Sequence, residues 1–230
     1  MRITTLLDNV FCLFYPRTCF ACGDPLPQGK EIVCTTCHYE LPNTNFVNIP
    51  DNEFVKRLWG RVPIHHASAM YYFVKGGLTQ SLIHQLKYNG QQKVGIKLGE
   101  WFGEMLKQSP YYTDIAGIIP VPLHPAKLRL RGYNQSAVFA EGIANTTQLA
   151  CWDDVLMRTT FTESQTRKNV NQRIQNVSNV FSIKNANKIS GKHILLVDDV
   201  MTTGATLEAC ITELLTVPQT QISVATIAMA

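Results

Sequence analysis

The sequence contains no uninterrupted run of about 18 apolar residues, so no membrane-spanning helix is expected. It also lacks a strong excess of either charge: 21 Lys and Arg against 17 Asp and Glu leave a net of +4. That balance admits anionic ligands such as phosphates but does not mark a dedicated nucleic-acid binder. Internal repeats and low-complexity tracts are missing too, which excludes solenoid and linker-like architectures. The N-terminal stretch MRITTLLDNVFCLFYP is apolar, yet Asp8 and Asn9 interrupt it and no small-residue cleavage site follows. This argues against a signal peptide and for a cytoplasmic protein. The stretch reads as a short amphipathic helix with Leu6, Leu7, Val10 and Phe11 on its packing side. Without export, the 7 cysteines are expected as reduced thiols or metal ligands rather than disulfides.

What is present suffices for one full hydrophobic core and a small appendage: 230 residues, 45% of them hydrophobic. Residues 1–50 hold five of the seven cysteines, several prolines and little periodic pattern, and form a candidate module of their own. Residues 51–63, within IPDNEFVKRLWGRVP, are polar with isolated aromatics and read as a linker that docks on the larger domain. From residue 64 to 230 the chain alternates strand-like and helical patterns. Strands are expected at 66–74, 115–123, 155–158, 193–199 and 221–229, and helices at 77–88, 94–108, 134–148 and 205–215. Strands alternating with helices imply a mostly parallel α/β sheet.

Two cysteine pairs stand out. Cys19-Phe-Ala-Cys22 and Cys34-Thr-Thr-Cys37 are CxxC turns separated by eleven residues. Such a turn lets two thiolates face one centre, and a closed tetrahedral zinc site needs four ligands. Gly23 follows the first pair and can take the positive φ such a turn requires. The alternative is four buried or redox-active cysteines, and Cys12 or His38 could serve as a substitute ligand. Cys151 and Cys210 lie in apolar surroundings and read as core residues.

The second constellation is GKHILLVDDVMTTGATL, residues 191–207. A continuous apolar strand ends in two adjacent carboxylates, Asp198 and Asp199. Thr202, Thr203 and Gly204 then lead through Ala205 and Thr206 into a helix. Backbone N–H groups at that helix start, with the threonine hydroxyls, can surround a phosphate dianion. The two carboxylates are placed for ribose hydroxyls or for a magnesium ion. Parallel sheets bind ligands at the carboxyl ends of their strands, where this loop falls. The plain alternative is a strand end with surface aspartates and a capped helix.

Five pieces of the chain together resemble the ComF (competence protein F, GntX-like) family of phosphoribosyltransferase-fold proteins. They are the four cysteines, LIHQLKYNG (82–90), PVPLHPAKLRLRGYNQS (120–136), the run from Gln165 through Arg173 and Asn176 to Phe181, and LLVDDVMTTGATL (195–207). The resemblance implies a type I phosphoribosyltransferase fold with a small N-terminal zinc finger. It also implies phosphoribosyl pyrophosphate (PRPP) with magnesium as ligand, and a role in internalising or processing transforming single-stranded DNA. Carried onto this sequence, Asp198 and Asp199 would contact the ribose 2′- and 3′-hydroxyls and residues Thr202–Thr206 would hold the 5′-phosphate. Lys127, Arg129 and Arg131, before Gly132, look like the mobile loop that closes over pyrophosphate, with Lys87 as a second candidate contact. The plain reading of that basic run is a solvated edge. The segment QTRKNVNQR departs from the family pattern, which has Leu-Ser after Gln-Thr. Neither Arg173 nor Asn176 has a role that physical reasoning supplies. His84 and His124 are expected to be structural or hydrogen-bonding residues rather than bases.

Two functions compete on these grounds. One is an enzyme transferring phosphoribose from PRPP to an acceptor that the resemblance does not supply. The other is a non-catalytic module that senses PRPP or a related nucleotide while binding single-stranded DNA or competence partners. A purine salvage transferase fits less well, because nothing in salvage chemistry requires a zinc module.

Overall fold

The computed structural model describes residues 17–27, 29–158 and 180–230. The expected N-terminal helix, Cys12, and the stretch holding Gln165, Arg173 and Asn176 lie outside the described residues.

Five strands form one parallel sheet: β1 (His66–Tyr72), β2 (Ile115–Pro120), β3 (Ala150–Cys151), β6 (His193–Met201) and β7 (Gln221–Met229). Their spatial order is β1-β7-β6-β2-β3, and every neighbouring pair is parallel. Two further strands, β4 (Leu156–Arg158) and β5 (Phe181–Ile183), pair antiparallel as a separate ribbon. Among the described residues, seven α-helices accompany them: α1 (Thr35–Glu40), α2 (Glu53–Leu58), α3 (Leu78–Tyr88), α4 (Gln92–Lys107), α5 (Pro125–Arg131), α6 (Gln135–Thr147) and α7 (Ala205–Leu214). The doubly covered parallel sheet is the α/β architecture that the alternating pattern implies. The two-residue β3 escapes the pattern because it is shorter than one period of alternation can register.

Successive strand residues face opposite sides, so one strand feeds two cores. Along β6, Leu195 and Val197 pack with Leu86, Leu98, Phe102 and Phe139 of α3, α4 and α6. Ile194 and Leu196 pack with Phe54 and Leu58 of α2, Leu207 and Ile211 of α7, and Phe181. Burial on both sides explains why ILLV is continuously apolar rather than alternating. Cys19, Ile32, Val33, Cys37 and Leu41 join the first of these cores, so the cysteine-rich segment and the sheet share one apolar interior.

Helices α4 and α6 cross at backbone contact. A Cβ added to Gly99 would lie 2.2 Å from the Phe139 carbonyl, and one added to Gly142 would lie 2.0 Å from the Ile96 carbonyl. That closeness seats α6 deep against the sheet and brings its N-terminus to the carboxyl end of β6.

Residues 51–63, expected as a linker, contain α2, and its Phe54 and Leu58 are wholly buried. Asn52 caps this helix through Phe54 N–H (2.9 Å) and Val55 N–H (3.1 Å), while its amide donates to the carbonyls of Ile49 (2.8 Å) and Ala67 (2.9 Å). Lys56, Arg57 and Arg61 make the stretch read as polar and hide an i, i+4 apolar pair too short to register as a period. The basic run 127–131 also differs from expectation: it is helical, not a loop. His124 caps α5 by accepting from Ala126 N–H, Pro125 opens it, and Gly132 at φ 79° closes it in the left-handed region.

Candidate functional site

The site begins at the carboxyl end of β6. Asp198 Oδ1 accepts from Ser136 Oγ at 2.8 Å and from the Asp199 N–H at 2.8 Å. Burial pushes the Asp198 carboxyl up to about 7, and the neighbouring Asp199 charge pushes the same way; the Ser136 hydroxyl and the Asp199 N–H act against them. Asp199 Oδ2 is paired with Lys87 Nζ at 2.9 Å, with only 15% and 19% of the two side chains exposed. Lys87 therefore belongs to the acidic pair in this structure, where a pyrophosphate contact is the role that the resemblance suggests.

Beyond β6 the chain bends through Thr202 and Thr203. Gly204, at φ 80°, then opens α7 in a backbone region that favours glycine. No side chain caps this helix start, and Ala205 N–H reaches only Thr203 Oγ1 at 3.4 Å. The leading N–H groups of a helix have no intrahelical acceptor, and its dipole favours anions there. Thr202, Thr203, Ala205 and Thr206 are exposed, Gly204 is buried, and the loop closes on a hollow of about 30 Å³ that Asp198 also lines. A hollow of about 500 Å³ lies elsewhere, between the first CxxC turn and α3. Its lining brings no oppositely charged side chains together, whereas Lys87 and Asp199 meet at the end of β6. The loop's outer side is held by α2 and the turn after it: Arg61 Nη1 donates to the Thr203 carbonyl at 2.9 Å, and Arg57 Nη1 to the Thr202 carbonyl at 3.4 Å.

The expected basic contacts divide. Lys127 and Arg129 stand exposed on α5, beside the exposed Leu130. Arg131 instead donates to Gln135 Oε1 at 2.7 Å and lies over the Tyr88 ring at 5.5 Å, one residue from Lys87. The residues after it are structural ties. Tyr133 OH donates to the Leu86 carbonyl, and Asn134 donates to the Val121 carbonyl at 2.9 Å while capping α6 through Ser136 N–H. The motif RGYNQS thus locks α3, β2 and α6 around Asp198. Sequence reasoning missed Ser136, Arg57 and Arg61. The motif containing Ser136 was visible but not its reach to residue 198, and the two arginines offered no local signal. His84 lies tilted against Tyr88, ring centroids 5.0 Å apart, and His124 is the α5 cap described above.

The four cysteines of the N-terminal segment converge. The sulfurs of Cys19, Cys22, Cys34 and Cys37 all lie within 4.8 Å of one another, and Cys22 Sγ and Cys34 Sγ are 4.0 Å apart. Tetrahedral ligation at about 2.3 Å would separate sulfurs by about 3.8 Å, so the arrangement fits a closed four-sulfur site. Backbone N–H groups point at the sulfurs, from Cys34 to Cys19 Sγ at 3.3 Å and from Cys37 to Cys34 Sγ at 3.5 Å. Burial acts to raise the Cys19 thiol, but N–H donors from Cys22, Cys34 and Ala21 outweigh it and bring it down to about 7. Cys37, buried among the other thiols, is pushed up. His38 turns away and packs on Trp101, ring centroids 4.8 Å apart. Of the remaining cysteines, Cys210 is buried as expected, whereas the Cys151 residue is exposed at the sheet edge.

Comparison with known proteins agrees with the fold. Residues 134–229 match the Phosphoribosyl transferase domain family. The chain is 34% identical over 91 residues to Competence protein F of Haemophilus influenzae, a match covering 39% of this chain and 40% of that protein. It is 32% identical over 214 residues to the DNA utilization protein YhgH of Escherichia coli O157:H7, covering 85% of this chain and 89% of that protein. Against Competence protein ComFC of Bacillus subtilis it is 33% identical over 193 residues, covering 83% and 75%.

Proposed function

We propose that this chain, which belongs to the competence protein F, ComFC and YhgH family of phosphoribosyltransferase-domain proteins, binds Mg-PRPP and transfers its phosphoribosyl group to an acceptor. The observation that carries the reading is the junction of Asp198, Ser136, Lys87 and the 202–206 loop at the carboxyl end of β6. In this reading the loop holds the 5′-phosphate on N–H groups and hydroxyls, and Asp198 and Asp199 accept from the ribose 2′- and 3′-hydroxyls. Both donors are oxygen, which suits a hard cation. When bound, magnesium supplies charge neutralisation on the departing pyrophosphate. Ser136 and the Asp199 N–H hold Asp198 in place, so its free oxygen is aimed before the ligand arrives. Transfer breaks the C1–O bond to pyrophosphate and forms a bond from C1 to the acceptor, which gives up a proton. The sugar passes through an oxocarbenium-like state, so cations near the leaving group lower the barrier. Lys87, Arg131 and the exposed Lys127 and Arg129 are the cations we assign to that task.

We assign zinc to the four-cysteine site, because its donor set and separations suit a closed tetrahedral ion. Free thiols and a thiolate metal site suit a reducing, cytoplasmic compartment. No helix among the described residues is long and apolar enough to cross a membrane.

A second reading has its own support. Tyr88 is 63% exposed, with Arg131 over its ring and Lys127 and Arg129 exposed on α5. A base can stack on such a ring while cations hold its phosphates, and the name of one relative, DNA utilization protein YhgH, connects it with DNA. In that case the protein senses PRPP while gripping single-stranded DNA in a competence or DNA-processing role. Calorimetry with Mg-PRPP on wild type and on the Asp198→Ala/Asp199→Ala double variant tests ligand binding, and pyrophosphate release with a panel of bases tests transfer. Unchanged PRPP affinity in the double variant would put the ligand elsewhere. Tight single-strand binding with no pyrophosphate released would favour the second reading.

A further inference from the structure

We propose that Arg57 and Arg61 are positioning residues of the phosphate loop, holding its carbonyls outward so that its N–H groups face the ligand. The inference rests on the reading of residues 202–206 as the 5′-phosphate site.

Arg61 Nη1 donates to the Thr203 carbonyl at 2.9 Å and to the Arg57 carbonyl at 3.3 Å, and Arg61 Nη2 bonds Glu208 in the first turn of α7. Arg57 Nη1 donates to the Thr202 carbonyl at 3.4 Å and to the Ala230 carbonyl, whose own N–H returns to Met201 at 2.9 Å. Two successive loop carbonyls are therefore turned toward α2. In a trans peptide the C=O and the following N–H point in opposite directions. Turning the carbonyls of Thr202 and Thr203 toward α2 thus directs the N–H groups of Thr203 and Gly204 to the other side, into the cradle. Gly204 lies close against the same platform: a Cβ there would meet Arg61 Nη1 and Leu58 Cδ2, both at 3.3 Å.

The base of this brace is rigid. Phe54 and Leu58 are wholly buried and Asn52 is anchored on both its amide ends, so Arg57 and Arg61 project from a fixed platform. The Arg61–Glu208 pair is about a third exposed on each side, where ion pairs contribute little to stability. Its effect is to aim the guanidinium, whose planar fork can serve Thr203 and Glu208 together. A lysine ammonium cannot span both.

The test uses the full chain with Arg61→Ala, Arg57→Ala/Arg61→Ala, Arg61→Lys and Glu208→Gln. Affinities for Mg-PRPP, ribose 5-phosphate and magnesium pyrophosphate are measured by calorimetry, with amide hydrogen exchange across residues 202–206. The alanine variants should lose roughly tenfold or more in affinity for the two 5′-phosphate ligands, the worth of about one strong hydrogen bond. Magnesium pyrophosphate should bind as it does to wild type, and loop amides should exchange faster. Arg61→Lys should fail to restore affinity, and Glu208→Gln should give a smaller loss of the same kind. Variants that bind ribose 5-phosphate like wild type, or full recovery with Arg61→Lys, overturn the inference and leave the site reading standing. Wild type that binds neither phosphoribosyl ligand overturns the site reading and the inference together. Should the alanine variants fail to fold, Glu208→Gln decides the matter alone: unchanged affinity and unchanged loop exchange would count against the brace.

Discussion

Lys87 Nζ lies 2.9 Å from Asp199 Oδ2, tying the last turn of α3 to the end of β6 across the candidate site. Both side chains are largely buried, so this pair differs from the exposed ion pairs elsewhere on the molecule. Replacing Lys87 with Met should leave Asp199 unpaired beside Asp198 and cost about 3 kcal/mol, the scale for removing one partner of a buried pair. The double variant Lys87→Met/Asp199→Asn should recover much of that loss. Urea unfolding of the two single variants and the double variant measures the coupling, and strict additivity would show that the pair does not interact in solution.

The raised Asp198 carboxyl makes stability depend on pH. Its folded value of about 7 exceeds the ordinary carboxylate value of 3.8. Between those limits the folded state binds more protons than the unfolded chain, so this group's contribution to stability falls as pH rises from about 4 to 7. Asp198→Asn keeps an acceptor for Ser136 and the Asp199 N–H, and should flatten the decline. Thermal unfolding across this range is the measurement, and an identical slope in the variant would refute the assignment.

Ser136→Ala should weaken the hold on Asp198 by about 1 kcal/mol, typical of one hydrogen bond. Losing a donor that favours the charged form should raise the Asp198 carboxyl further. Carboxyl titration followed by NMR should show the Asp198 midpoint moving upward, and a midpoint that stays put would mean the hydroxyl is not engaged.

Protein purified without chelator should carry about one zinc, as a four-cysteine site requires, and Cys22→Ser should abolish retention. Because Cys19 and Cys37 share a core with Leu98 and Phe102, loss of the metal should also lower the melting temperature of the whole chain. Elemental analysis and calorimetry check the two parts separately.

Gly99→Ala should be severely destabilising. The added methyl would meet the Phe139 carbonyl at 2.2 Å, so α4 and α6 must separate, at about 1–3 kcal/mol or more for overpacking. Circular dichroism melting is sufficient to see it.

Much of this protein could be read from its residues in order. The buried β6 is legible because ILLV is apolar on both faces, and the candidate loop because Asp198-Asp199 and, two residues on, Thr202-Thr203-Gly204 follow it. The four cysteines are legible because each CxxC brings two ligands together locally. These features depend on neighbours in the chain. Ser136 against Asp198, Lys87 against Asp199 and Arg61 against Thr203 join residues 62, 112 and 142 positions apart. No local period or motif records such distances. They are decided where α6 packs on the sheet through Gly99 and Gly142, and where α2 buries Phe54 and Leu58 beneath the loop. The sequence determined the paired carboxylates, the loop after them and the four cysteines of the candidate site, because strand, turn and ligand chemistry are local. Only tertiary packing decided which charge neutralises which and which way the loop's N–H groups turn, because those are set by helices laid across the strand ends.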